Sequence, residues 1–175
     1  MKKTNVKILV LAALFLALAL VLPFLTGQIP EIGSMLCPMH IPALLCGFFC
    51  GWPWGLAVGL IAPVLRSLMF GMPPMFPVAV CMSAELAAYG AVSGLLYRRN
   101  RASIYVSLLT AMVAGRLVWG IARFLCTGLN PSAFGFAAFW AGAVTTALPG
   151  IAVQIVLIPI LVIALEKHHT VRSHL

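Results

Sequence analysis

Charge is what this sequence has least of. Of its 175 residues only 8% are charged against 63% hydrophobic, and the mean hydropathy is +1.11. A soluble domain of this length needs far more polar surface to cover its core, so a soluble fold is excluded. The five cysteines, Cys37, Cys46, Cys50, Cys81 and Cys126, include no C-x-x-C pair. Their spacing gives neither the pattern of a disulfide framework nor a zinc signature, and in lipid-embedded helices they are expected to serve as small apolar residues. No G-x-x-x-x-G-K-[ST] loop occurs, so no P-loop nucleotide site is read in this sequence. Catalytic pairing is scarce too. One in-span carboxylate offers no acid–base partner, and Ser83, beside Glu85, has no histidine at its depth. No internal repeat, low-complexity tract or soluble domain is evident.

Long apolar runs are what is present. Residues 8–25, 56–70, 78–97, 102–126 and 143–165 are each long enough, or nearly so, to cross a hydrocarbon core of ~30 Å at 1.5 Å per residue. The first run follows Lys2, Lys3 and Lys7 and contains "ALA" at 17–19, as a signal peptide would, but it stays apolar to Leu25, past a signal h-region. It is expected to be retained as the first helix.

The net charge is +8, and eight of the eleven basic residues lie at the ends of these runs: Lys2, Lys3 and Lys7; Arg98, Arg99 and Arg101; Lys167 and Arg172. Such clusters mark cytoplasmic flanks, and the absence of a basic stripe with interleaved aromatics excludes a nucleic-acid face. With every cluster inside, an even number of spans must lie between the N-terminus and "YRRNR" at 97–101. Helices at about 6–25, 40–50, 54–70 and 77–97 satisfy this, the second being short and turned by "GWPWG". Helices at about 102–126 and 143–166 complete an all-α integral membrane protein, one six-helix domain over 1–175 with both termini cytoplasmic. Loops 26–39, with Glu31, and 127–142, with Asn130 and Trp140, then face outside, "GMPPMFP" (71–77) caps the same face, and His40 stands at the outer entrance.

Polar residues inside the spans point to a site. A charge in the bilayer costs ~2.5–3.5 kcal/mol on the gentler insertion scale, so it faces the bundle interior or water. Below the outer surface, Glu85 lies at ~12 Å, Gln154 at ~14 Å and Arg116 at ~15 Å, with Arg66 and Arg123 at ~5–6 Å. Arg116 and Arg123 share a face with Trp119 near, and Glu85 shares one with Tyr89. This predicts an outward-facing pocket of net positive charge for a ligand carrying at least one carboxylate, which arginine's fork pairs bidentately. Plainer readings stand beside it: snorkelling for Arg66 and Arg123, a structural pair for Arg116 and Glu85, helix–helix glue for Gln154, packing for Tyr89 and Trp119, and an interfacial place for His40. Cys37 and His40 lack the further ligands that a metal site requires, and no cofactor is expected.

Six helices with a short second one, the run Pro42 to Gly47 ("PALLCG"), and the series Gly47, Gly51, Pro53, Gly55, Gly59 resemble the substrate-binding S component of energy-coupling factor (ECF) vitamin transporters. Ala13 and Ala17 fit the small-xxx-small pattern with which that family's first helix meets its coupling subunit. The resemblance implies high-affinity capture of a vitamin or related micronutrient from outside, by a protein of the prokaryotic plasma membrane. It also implies partnership with a transmembrane coupling subunit and two ABC-type ATPases. Among the family's ligands, the basic pocket disfavours cationic thiamin and suits anionic pantothenate best, then folate. The substrate-binding residues expected are His40, Arg66, Glu85, Tyr89, Arg116, Trp119, Arg123 and Gln154. A self-powered, proton-coupled secondary transporter using Glu85 is the rival reading.

Overall fold

The computed structural model describes residues 6–26, 38–128, 139–142 and 148–167. The expectations attached to Glu31, Cys37, Asn130 and the start of the last helix before Leu148 lie outside these residues. All secondary structure among the described residues is helical. We number the helices α1 (Val6–Val21, followed by a 3-10 turn, Leu22–Thr26), α2 (His40–Cys50), α3 (Trp52–Phe70), α4 (Val80–Gly94), α5 (Ile104–Cys126) and α6 (Leu148–Lys167). A wider turn at Leu95–Arg99 continues α4 at its end, whereas Met75–Ala79, in which Phe76 is extended (φ −120°, ψ 134°), leads into α4 across a kink. Five of the six helices are long and apolar enough to cross a membrane, so the chain is an all-α, multi-pass membrane protein.

The exception is α2. Its 11 residues span about 16 Å, roughly half of a hydrocarbon core. Ten of them are buried, Ile41 alone being partly exposed. A helix apolar all round belongs inside protein, and α1, α3, α4 and α6 all pack against it. Gly51, at φ 89°, lets the chain turn at once into α3, where Pro53 occupies the first turn. At the same corner Arg98 donates to the Phe49 carbonyl, satisfying part of the α2 C-terminus.

Glycine fixes how closely these helices meet. A Cβ on Gly55 would stand 2.4 Å from the Gly90 carbonyl oxygen, and one on Gly90 would stand 2.2 Å from that of Gly55. Gly47 and Gly59 meet α4 in the same manner. The glycine series read from the sequence is therefore the seam that brings α2 and α3 backbone-to-backbone with α4.

α1 lies at the margin. Only Ala12, Phe15 and Ala19 are buried, a single stripe at helical spacing, while Ala13 and Ala17 are exposed on the far side. Ser103 caps α5, accepting from the Val106 N–H at 3.3 Å. Gly71, left-handed at φ 69°, ends α3 with its N–H on the Ser67 carbonyl. At the opposite end of the bundle, Tyr97 donates to Glu166 at 2.6 Å and ties the end of α4 to that of α6.

Candidate functional site

Three helices bring charge together in the interior. Glu85, one turn inside α4, is 2% exposed. Its Oε1 lies 3.0 Å from Arg116 Nη1 of α5 and 3.2 Å from His40 Nε2 at the start of α2. Among the described residues the His40 ring nitrogens and Glu85 Oε1 meet no partner in hydrogen-bond geometry, so the 3.2 Å approach is a contact without a directed bond. Tyr89, fully buried one turn below Glu85, sets its ring edge-on to His40 with centroids 5.1 Å apart. It has room because Gly115 faces it: a Cβ there would fall 2.2 Å from Tyr89 Cε1. One glycine on α5 thus admits the aromatic ring that backs the charged cluster.

His40 is where sequence and structure differ most. Expected at an outer entrance, it is 2% exposed inside the bundle. The reason is α2 itself, a short helix enclosed over nearly its whole length, so that its first residue is already interior.

Arg116 joins this cluster to open space. Its side chain also lines a cavity of about 400 Å³ between α5 and α6, with Met112, Phe139, Trp140 and Ile151 among the other walls. Among the described residues it is the only charged one of that lining. Leu109, Val113 and Leu117, at successive turns of α5, form an exposed apolar edge. Above, Trp119 stacks obliquely on Phe139, centroids 6.3 Å apart, and Gly120 and Gly142 permit the close fit of 139–142 onto α5.

Gln154 of α6 is 1% exposed, and neither its amide oxygen nor its amide nitrogen has a hydrogen-bond partner among the described residues. A buried polar group left so costs ~1–3 kcal/mol, and native interiors rarely keep one without a use. It stands one turn from Ile151 of the cavity wall. By helical rise from the Tyr97–Glu166 contact, it falls near the level of Arg116.

The two remaining arginines lie elsewhere. Arg66 is 2% exposed, but its guanidinium donates to the Leu20 carbonyl of α1 and lies over the rings of Phe24 (4.7 Å) and Phe70 (5.2 Å). It makes no ion pair with Glu85 among the described residues; it closes the C-terminal end of α1. Arg123 is partly exposed beside Cys81 and Cys126, with no ion pair to Glu85 among the described residues. The positive pocket expected from four in-span charges is therefore narrower than the sequence implied. At the cluster itself the charges of Arg116 and Glu85 offset each other.

Phe139, Met112 and Ile151 were not singled out by sequence. Met112 carried the available signal, lying four residues from Arg116 on the same face. No cluster of three or more potential metal ligands occurs among the described residues.

A search of curated proteins finds no match. Residues 7–162 do match the family described as ECF transporter, substrate-specific component, and the chain belongs to that family, as the substrate-specific subunit of a transporter.

Proposed function

We propose that the protein captures a small micronutrient from outside the cell in the hollow beside Arg116, and delivers it through an ATP-driven ECF complex. The observation that carries this reading is the double engagement of Arg116, with Glu85 behind it and an otherwise apolar cavity in front. Such a site holds a small ligand by one anionic end, which Arg116 and Gln154 orient, with the rest of the ligand against the cavity wall. Family membership supports the transport role.

Local charge narrows the ligand class. With Glu85 held against Arg116, the cluster has little positive charge to spare, so we read the ligand as carrying at most one negative charge. A second anionic group would meet the Glu85 carboxylate without compensation. Among vitamins this favours the monoanion pantothenate over the dianion folate.

The remaining parts of the reading concern placement and partners. The basic flanks support cytoplasmic termini and a six-helix thread in which α2 enters the membrane only partway. Exposed Ala13 and Ala17 on α1 suit close approach of a coupling subunit, with two ABC-type ATPases completing the importer in a prokaryotic plasma membrane. Glu85 stands against both Arg116 and His40, so we read it as positioning Arg116, and family membership favours a carrier subunit over a self-powered transporter. We read the chain as a transport component and not an enzyme.

Titration calorimetry of the nanodisc-reconstituted protein with pantothenate and with folate tests the ligand class. Saturable one-to-one binding of pantothenate, weakened at least tenfold (about 1.4 kcal/mol) by Arg116→Gln, is expected. Tighter binding of folate than of pantothenate would overturn the charge argument.

A further inference from the structure

We propose that Cys81 and Cys126 are a redox-reactive dithiol, a modification site that closes to an intramolecular disulfide across the α4–α5 seam. Cys81 is the second residue of α4 and Cys126 the last of α5, so the antiparallel helices bring together two cysteines 45 residues apart. Their sulfurs lie 3.7 Å apart, in contact, and both are free thiols. A disulfide requires an S–S separation of about 2.05 Å, and side-chain rotation of groups already touching brings them towards it.

The two thiols differ in access. Cys81 is fully buried, whereas Cys126 is partly exposed at its helix end. Cys46 and Cys50, the other described cysteines, are enclosed within α2. Cys126 therefore meets an oxidant first and Cys81 resolves the adduct. Arg123, one turn before Cys126 and beside Cys81, offers positive charge to an anionic oxidant such as oxidised glutathione.

The chemistry balances with a low-molecular-weight disulfide as oxidant. The Cys126 thiolate attacks one sulfur of that disulfide, whose S–S bond breaks, and one thiol departs. Deprotonated Cys81 then attacks Cys126 Sγ in the mixed disulfide and expels the second thiol. The protein loses two hydrogens and two electrons in total, and the oxidant leaves as two thiols. Cys81 is one turn from Glu85, so the bond pins the seam that carries the Glu85–Arg116 pair.

The test uses the full chain in lipid nanodiscs, reduced, then treated with oxidised glutathione, alkylated under denaturing conditions and mapped by mass spectrometry. It requires no ligand, so its outcome is separate from that of the transport reading. The wild type is expected to lose two alkylatable thiols and yield one linked peptide pair joining Cys81 to Cys126. Cys81→Ser is expected to stop at a glutathione adduct on Cys126. Oxidation is expected to raise the unfolding midpoint by several degrees, reversibly with dithiothreitol. Retention of both thiols in the treated wild type, or a link formed through any other cysteine, would overturn the proposal; the wild-type map decides even if the variant fails to fold.

Discussion

Glu85 of α4 and Arg116 of α5 meet at 3.0 Å in the interior of a membrane protein, and His40 of α2 approaches the same carboxylate oxygen to 3.2 Å. Each charge there is tolerable because the other is present. Removing one partner strands the survivor in a low-dielectric interior, whereas removing both leaves only a cavity and some lost packing.

Stability variants separate those two cases. Arg116→Gln or Glu85→Gln alone is expected to destabilise the protein by ~3–5 kcal/mol, and the Glu85→Gln/Arg116→Gln double variant by clearly less than the sum. Thermal unfolding of all four forms in one detergent gives the coupling energy directly. Additive losses would mean that the pair contributes nothing as a pair.

The glycine seam predicts a position-specific cost. Gly90→Ala drives a methyl group to 2.2 Å from the Gly55 carbonyl oxygen, so α3 and α4 must part, with an expected loss of ~1–3 kcal/mol. Gly71→Ala meets no neighbour within 4 Å; it carries only the left-handed backbone penalty of ~1–2 kcal/mol. Hydrogen exchange distinguishes them, since Gly90→Ala lowers protection along both α3 and α4 while Gly71→Ala affects only the α3 end.

Arg66 is expected to act on α1 rather than on ligand. Arg66→Ala removes the bond to Leu20 and the contacts with Phe24 and Phe70, at a cost of ~1.5–3 kcal/mol for a hydrogen bond to a charged group. Ligand affinity per folded molecule should change by less than ~threefold, or under 1 kcal/mol. A large affinity loss with an unchanged unfolding midpoint would return Arg66 to the binding site.

At the other end of the bundle, Tyr97→Phe deletes the donor to Glu166. The loss of one charge-assisted hydrogen bond, ~1–3 kcal/mol at most in this partly buried setting, should appear as faster amide exchange in the last turns of α6. Exchange at α1 serves as the internal control and should not move.

Much of this was legible from the chain, for identifiable reasons. Apolar run length placed α1, α3, α4, α5 and α6 because lipid forces a spanning segment to be both long and greasy. Helical rise and periodicity brought Glu85, Arg116 and Gln154 to one depth, because a straight helix turns residue number into height. What periodicity does not encode is the partner a long side chain selects. Arg66 is flexible enough to reach either a ligand or a backbone carbonyl, and only the position of the α1 end decides for Leu20. The burial of His40 is not legible from its place after the first loop, because it depends on how the other helices enclose the short α2. Cys81 and Cys126 looked like separate small apolar residues, since their meeting depends on the antiparallel register of two helices.

Native mass spectrometry of wild type and Arg116→Gln, prepared in parallel from membranes in mild detergent, tests the central claim most directly. A bound small molecule of no more than one negative charge on the wild type, lost or strongly depleted in the variant while both remain folded, is the predicted result. The same adduct at equal occupancy on both proteins would contradict the assignment of Arg116 and its cavity as the place where the substrate is held.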